Sequence, residues 1–187
     1  MTASPRRAPH TTGPLTALPG YDADAPALAV DRLRVEFPAT RTRARATVVD
    51  GASFHVAPGE TLALVGESGS GKSLTARATL GILPPGATAT GGSVRLHGVD
   101  LLRLSPRRLR SLRGRHLAMV FQDALAALNP VLPIGHQIAE ALLVHERTSR
   151  REAARHTADL LEQVHIPDPA RRMRHYPHQF SGGMRQR

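Results

Sequence analysis

The chain of 187 residues carries 25 basic side chains and a single lysine, Lys72. That lysine sits in Gly66-Glu67-Ser68-Gly69-Ser70-Gly71-Lys72-Ser73, which fits the spacing GxxxxGK[ST]. In such a loop the glycines let backbone N–H groups turn onto phosphate oxygens. The lysine reaches the β- and γ-phosphates, and the closing hydroxyl takes a Mg²⁺ position. A compact ammonium fits between phosphates where a planar guanidinium does not, which gives an otherwise arginine-only sequence a physical reason to keep one lysine here. The apolar run Thr61-Leu62-Ala63-Leu64-Val65 reads as a buried strand leading in. Residues 74–80 read as a helix leading out, and its N-terminal dipole favours negative charge. The indicated chemistry is nucleoside-triphosphate binding; the bland alternative is a glycine-rich turn between strand and helix.

The elements that must position this loop are legible on either side of it. Residues 1–26 are rich in Pro, Thr, Ala and Gly without periodicity and predict a disordered tail. Leu33, Val35 and Phe37 alternate with Arg34 and Glu36, and Ala52, Phe54 and Val56 alternate again before the turn Ala57-Pro58-Gly59. Two strands therefore precede the buried one. The loop helix is expected from about Gly71 to Leu83, stopped by Pro84-Pro85-Gly86. A short strand and turn follow at residues 91–98. Ser105-Pro106 opens an arginine-covered helix with Leu109 and Leu112 as its apolar stripe. Residues 116–121 read as a second buried strand, ending at Gln122.

After Gln122 the period becomes helical. Ile134, Ile138 and Leu142 share one face, and Ser149-Arg150-Arg151-Glu152 is a capping box opening a helix that runs to Pro167. In the last stretch Ser181 is placed to cap a helix beginning at Gly182 and Gly183. The expected division is a tail at 1–26, a nucleotide-binding core with a β subdomain at 27–121, and a helical subdomain at 122–187.

Composition narrows the classes. No cysteine is present, which excludes disulfides and cysteine-ligated metal within the chain. No apolar run approaches the ~18 residues of a membrane span, and no apolar segment backs the early arginines as a secretory signal. The net charge of +10 leaves two readings open, a solvated basic face or an anion-binding surface. Arginines cluster at residues 103–115 and 171–174 with no aromatics interleaved to stack bases, so no nucleic-acid partner is expected.

The loop at 66–73, then Met119-Val120-Phe121-Gln122-Asp123, a helical segment, and Phe180-Ser181-Gly182-Gly183-Met184 resemble, in this order, the nucleotide-binding subunits of ABC transporters. They correspond to the family's Walker A, Q-loop and signature motifs. Leu128-Asn129-Pro130 and the run from Tyr176 through Arg187 are similar to the dipeptide and oligopeptide importer branch, which includes nickel importers. The resemblance covers residue 28 to the end. It implies an α/β P-loop NTPase core with an N-terminal antiparallel β subdomain and a helical subdomain.

The resemblance further implies ATP and Mg²⁺ as cofactors. Gly66, Glu67, Ser68, Gly69, Ser70, Gly71, Lys72 and Ser73 would hold the phosphates, with Ser73 and Gln122 at the metal. Gln122 would also contact the attacking water and couple the site to a membrane partner. Ser181, Gly182 and Gly183 would bind the γ-phosphate held by a second nucleotide-binding subunit. Two permease subunits and an extracytoplasmic solute-binding protein complete the implied assembly, peripheral to the cytoplasmic face of the cell membrane.

The sequence departs from the family pattern in three places. No aromatic lies in residues 40–53, leaving Phe37, Arg43 or Arg45 to stack on adenine. Ala124 stands where the branch carries proline. No apolar run ending in Asp-Glu occurs, so Walker B and the switch histidine are not found, and the chain reads as the N-terminal part of an importer ATPase. His136, His145, His156, His165, His175 and His178 read as solvated rather than as replacements. A DNA-acting ABC ATPase and a non-catalytic nucleotide-binding fragment are the rival readings.

Overall fold

The computed structural model describes residues 15–42, 44–122, 127–146 and 148–187. The chain divides into two compact units, Met1–Leu117 and Ala118–Arg187.

The first unit is built on a four-stranded antiparallel sheet. β1 (Leu28–Phe37) lies between β2 (Ala46–Val56) and β3 (Thr88–Leu96), and β4 (Val99–Asp100) pairs with β3 to give the order β2-β1-β3-β4. The alternation read from sequence is present where it matters: Leu33 and Val35 of β1 and Val94 of β3 are fully buried. Burying such a side chain contributes about 1.5–3 kcal/mol. Helix α1 (Lys72–Thr79) covers β1 and β2 with Thr75, Ala78 and Thr79 inward. A 3₁₀ turn (Leu101–Arg103) and α2 (Pro106–Leu112) add Leu101 and Leu112 to the same core.

Glu36 departs from the alternation. It falls on the expected solvent face of β1 yet is only 7% exposed, because β1 has a neighbour on both sides. Burial alone would raise its carboxyl, but the Thr47 hydroxyl, donating at 3.2 Å, and the Arg45 and Arg34 guanidiniums hold it below the ordinary range. A register shift sits between Asp31 and Arg34, with Arg32 at φ 45°. At Gly92, φ +80°, a Cβ would collide with the carbonyl oxygens of Asp31 and Arg32, so the bulged strand can approach only a glycine.

Two expectations fail in this unit or at its edge. Residues 61–65 and 118–121 are not strands, and Leu62, Leu64, Val65 and Val120 are 40%, 43%, 92% and 95% exposed. A buried strand needs its backbone rows paired, and among the described residues neither segment has a ladder partner. Of residues 116–117, Leu117 makes an isolated bridge to Arg113, and the amides of both bond the Leu112 carbonyl at the end of α2. The expected disordered tail also gives way at residues 15–26: Leu15 is 3% exposed, Leu18 and Tyr21 pack on the core, and the Asp22 amide donates to the His97 carbonyl at 2.9 Å. Apolar side chains spaced three apart suffice to fix a short turn on a ready core. Residues 1–14 lie outside the described residues.

The second unit is helical. α3 (Ile134–His145) packs on α4 (Arg150–Gln163), followed by α5 (Pro169–Arg172), a 3₁₀ turn (Pro177–Gln179) and α6 (Gly182–Gln186). Ile134, Leu161, Ile166 and Phe180 form its core. The capping box is as the sequence predicts: the Glu152 amide donates to Ser149 Oγ at 3.2 Å and Glu152 Oε2 accepts from the Ser149 amide at 2.9 Å. No helix among the described residues is long and apolar enough to cross a membrane.

Candidate functional site

Residues 66–71 form a loop, exposed up to Ser70, that turns directly into α1, whose first two residues are Lys72 and Ser73. Gly71 is the N-cap, at φ 89° and ψ −1°, a left-handed conformation that glycine alone adopts without strain. A Cβ there would lie 2.9 Å from the Val48 carbonyl oxygen and 3.1 Å from a Val49 methyl, so the head of α1 is seated directly on β2. The first turn of any helix leaves its amides without intrahelical acceptors. At this end those are the amides following Gly71, and the first turn carries no acid. Thr75 secures the turn by donating to the Gly71 carbonyl from both its amide, 2.8 Å, and its hydroxyl, 3.0 Å.

Lys72 bends back over the loop. Its ammonium donates to the carbonyls of Gly66 and Glu67, at 2.8 and 2.6 Å, and to Ser70 Oγ at 3.1 Å. The loop thus holds a cation by three oxygens beside a cluster of amides, and the Ser70 amide closes it onto the Glu67 carbonyl at 3.2 Å. This donor set suits a triphosphate. Phosphate oxygens offer the ammonium stronger acceptors than neutral carbonyls do, and the helix head supplies amides that no carbonyl of the helix can use. Ser73, next on the helix, carries the hydroxyl suited to Mg²⁺.

The far end of α1 is held by a residue the sequence reading did not single out. Arg113 donates from Nε to the Leu80 carbonyl and from Nη2 to the Gly81 carbonyl, both at 2.7 Å. A cation on the terminal carbonyls complements the helix dipole. The contact spans more than thirty positions, so nothing local in the sequence announces it.

Of the candidates for a base-stacking group, Phe37 is half-buried at the end of β1, paired with Ala46, two residues along β2 from the Val48 carbonyl at Gly71. Arg45 is exposed and pairs with Glu36 at 3.9 Å, and Arg43 lies outside the described residues. Phe37 and the loop thus share one end of β2.

The remaining expected site residues belong to the second unit. Gln122 is exposed, and Asp123 and Ala124 lie outside the described residues. Leu128-Asn129-Pro130 is stapled by Gln137 of α3, whose Oε1 accepts from the Asn129 amide while its Nε2 donates to the carbonyls of Asn129 and Leu132, each at 2.9 Å. Ser181 caps α6 by accepting from the Met184 amide at 3.3 Å. Gly182 and Gly183 have nothing within 4 Å of where a Cβ would stand, so this chain's own packing does not require glycine there. Among the described residues, no group of three or more His, Asp or Glu side chains is placed to hold a metal.

A family model described as ABC transporter matches residues 49–187, from β2 to the last residue. The chain belongs to the ABC transporter family. Among proteins similar to this ABC chain, a dipeptide transport ATP-binding protein of Bacillus subtilis is 47% identical over 86% of this chain and 48% of its own length. A putative peptide import ATP-binding protein of Brucella abortus is 51% identical over 87% of this chain and 48% of its own. The chain spans about half the length of these curated relatives. Among solved structures, a dimeric bacterial ABC transporter cassette superposes with a TM-score of 0.71 at 21% identity, covering 85% of this chain and 65% of that one. A likeness at that identity speaks for the fold alone, in which an antiparallel sheet formed by strands on both sides of α1 in the sequence packs against that helix.

Proposed function

We propose that the chain binds Mg·ATP at residues 66–73 and forms the ATP-binding part of a peptide importer. The observation that carries this reading is the Lys72 ammonium poised over the loop at the head of α1. With ATP bound, Lys72 would exchange its loop carbonyls for β- and γ-phosphate oxygens, the helix-head amides and those of residues 66–71 would line the triphosphate, and the Ser73 hydroxyl would hold Mg²⁺. A metal held there would supply charge neutralisation to the triphosphate. Phe37 stacks on adenine. Replacing Phe37 with alanine is expected to weaken ATP binding by about tenfold or more, the scale of base stacking on an aromatic ring. Inorganic triphosphate should bind equally to both forms in competition titrations; an equal loss for both ligands would place the base elsewhere.

The importer assignment draws on the peptide-transport relatives and on the segment after Gln122. Val131, in the turn held by Gln137, is an apolar side chain 74% exposed. That suits a surface that docks on a permease. The proposed assembly has a second nucleotide-binding subunit, whose ATP meets Ser181, Gly182 and Gly183 in the open space around those glycines. Two permeases and an extracytoplasmic binding protein complete it, with this subunit peripheral at the cytoplasmic membrane face. A photo-crosslinker at Val131, in membranes from cells making the importer, should capture a cytoplasmic loop of a transmembrane subunit. Capture of DNA, or of soluble proteins only, would contradict the assignment.

A further inference from the structure

Residues 101–122 contain six arginines and no acidic residue. Within them α2 (Pro106–Leu112) turns Leu112 fully inward and leaves Arg107, Arg108 and Arg110 exposed. At 100° per residue Arg107 and Arg110 lie on the arc opposite Leu109 and Leu112, and Arg108 flanks Leu112 on the exposed side. Arg103 pairs with Asp100 at 3.2 Å, whereas Arg107, Arg108 and Arg110 form no ion pair among the described residues. Beside them lies a hollow of about 280 Å³ between α2, the 3₁₀ turn and the end of α1. Leu101, Leu102, Leu104 and Leu109 line it together with Arg110 and Arg113, the latter held on the Leu80 and Gly81 carbonyls.

From this arrangement we infer that α2 and its neighbouring hollow form a docking surface for anionic phospholipid. Guanidiniums bond phosphate in a planar fork and suit lipid headgroups in number. A leucine-lined hollow next to exposed arginines matches the boundary between headgroup and acyl chain. Nucleic acid fits the surface less well: its outer face offers Arg107, Arg108, Arg110 and Ser111, with no aromatic to stack a base and no amide side chain to read one. The surface is independent of the nucleotide loop, so Lys72→Ala leaves lipid binding unchanged.

The test is co-sedimentation of the chain with vesicles of phosphatidylglycerol and phosphatidylcholine, with pure phosphatidylcholine, and fluorescence anisotropy with a short duplex DNA. Each basic residue near an anionic leaflet adds roughly fivefold to partition, so R107Q/R108Q/R110Q should lose about a hundredfold on the anionic vesicles. The comparison variant R150Q/R151Q/R155Q removes the same charge from α4, where Glu152, Asp159 and Glu162 are interspersed, and should lose no more than severalfold. R107K/R108K/R110K should retain binding, and all variants should keep the wild-type thermal midpoint. The inference is overturned if both glutamine variants lose equally, if phosphatidylcholine alone binds as well, or if DNA binding depends on the three arginines as strongly as vesicle binding does.

Discussion

Replacing Gly71 with alanine is expected to abolish measurable Mg·ATP binding and to lower the thermal midpoint of the chain, while Gly183→Ala leaves the midpoint unchanged. At Gly71 a Cβ meets the Val48 carbonyl oxygen at 2.9 Å and the Val49 side chain at 3.1 Å, on a backbone of φ +89°. The left-handed conformation alone costs an L-residue about 1–2 kcal/mol. Overpacking against a fixed strand adds about 1–3 kcal/mol. The strain is relieved only by lifting the head of α1 from β2. That movement swings the first-turn amides and Lys72 out of register with the loop. Gly183 has open space where its Cβ would stand and no positive φ, so the same substitution there meets nothing. Thermal unfolding followed by circular dichroism, with calorimetric titration of Mg·ATP, reads both effects. A Gly71→Ala chain with wild-type midpoint and affinity would mean that the seat on β2 does not position the loop.

The parts of this architecture legible in the sequence are those whose cause is local. Ser149 and Glu152 announce their helix start because the two side chains exchange bonds across three residues. Leu33 and Val35 announce β1 because a strand alternates every second residue. The nucleotide loop is legible for the same reason, its function residing in the order of eight consecutive residues. What escaped depends on partners distant in sequence. Residues 61–65 and 118–121 have strand-like composition, but a ladder is a property of two segments, and none of the described residues pairs with them. Glu36 looks like the polar half of an alternation until Thr47 on β2 and Arg45 just before that strand are seen beside it. Arg113 reads as one more surface arginine, although it holds the end of the helix whose head carries Lys72.

Lys72→Ala carries the other large expected effect. The ammonium bonds exposed oxygens of the loop, groups that water satisfies when the side chain is gone, so the cost in stability should stay within about 0.5 kcal/mol. In the bound state the same ammonium faces two phosphates. A hydrogen bond to a charged group contributes about 1.5–3 kcal/mol, so two such contacts amount to a hundredfold or more in affinity. Lys72→Arg should not restore it, because a guanidinium is broader than the space a lysine ammonium fills among phosphates.

The measurement that bears most directly on the central claim is isothermal titration of Mg·ATP into the chain and into Lys72→Ala, with thermal midpoints recorded for both. Saturable binding to the wild type, its loss in the variant and matching midpoints are the expected outcome. Equal affinity in the two proteins, or no binding to a folded wild type, would show that residues 66–73 are not a nucleotide site.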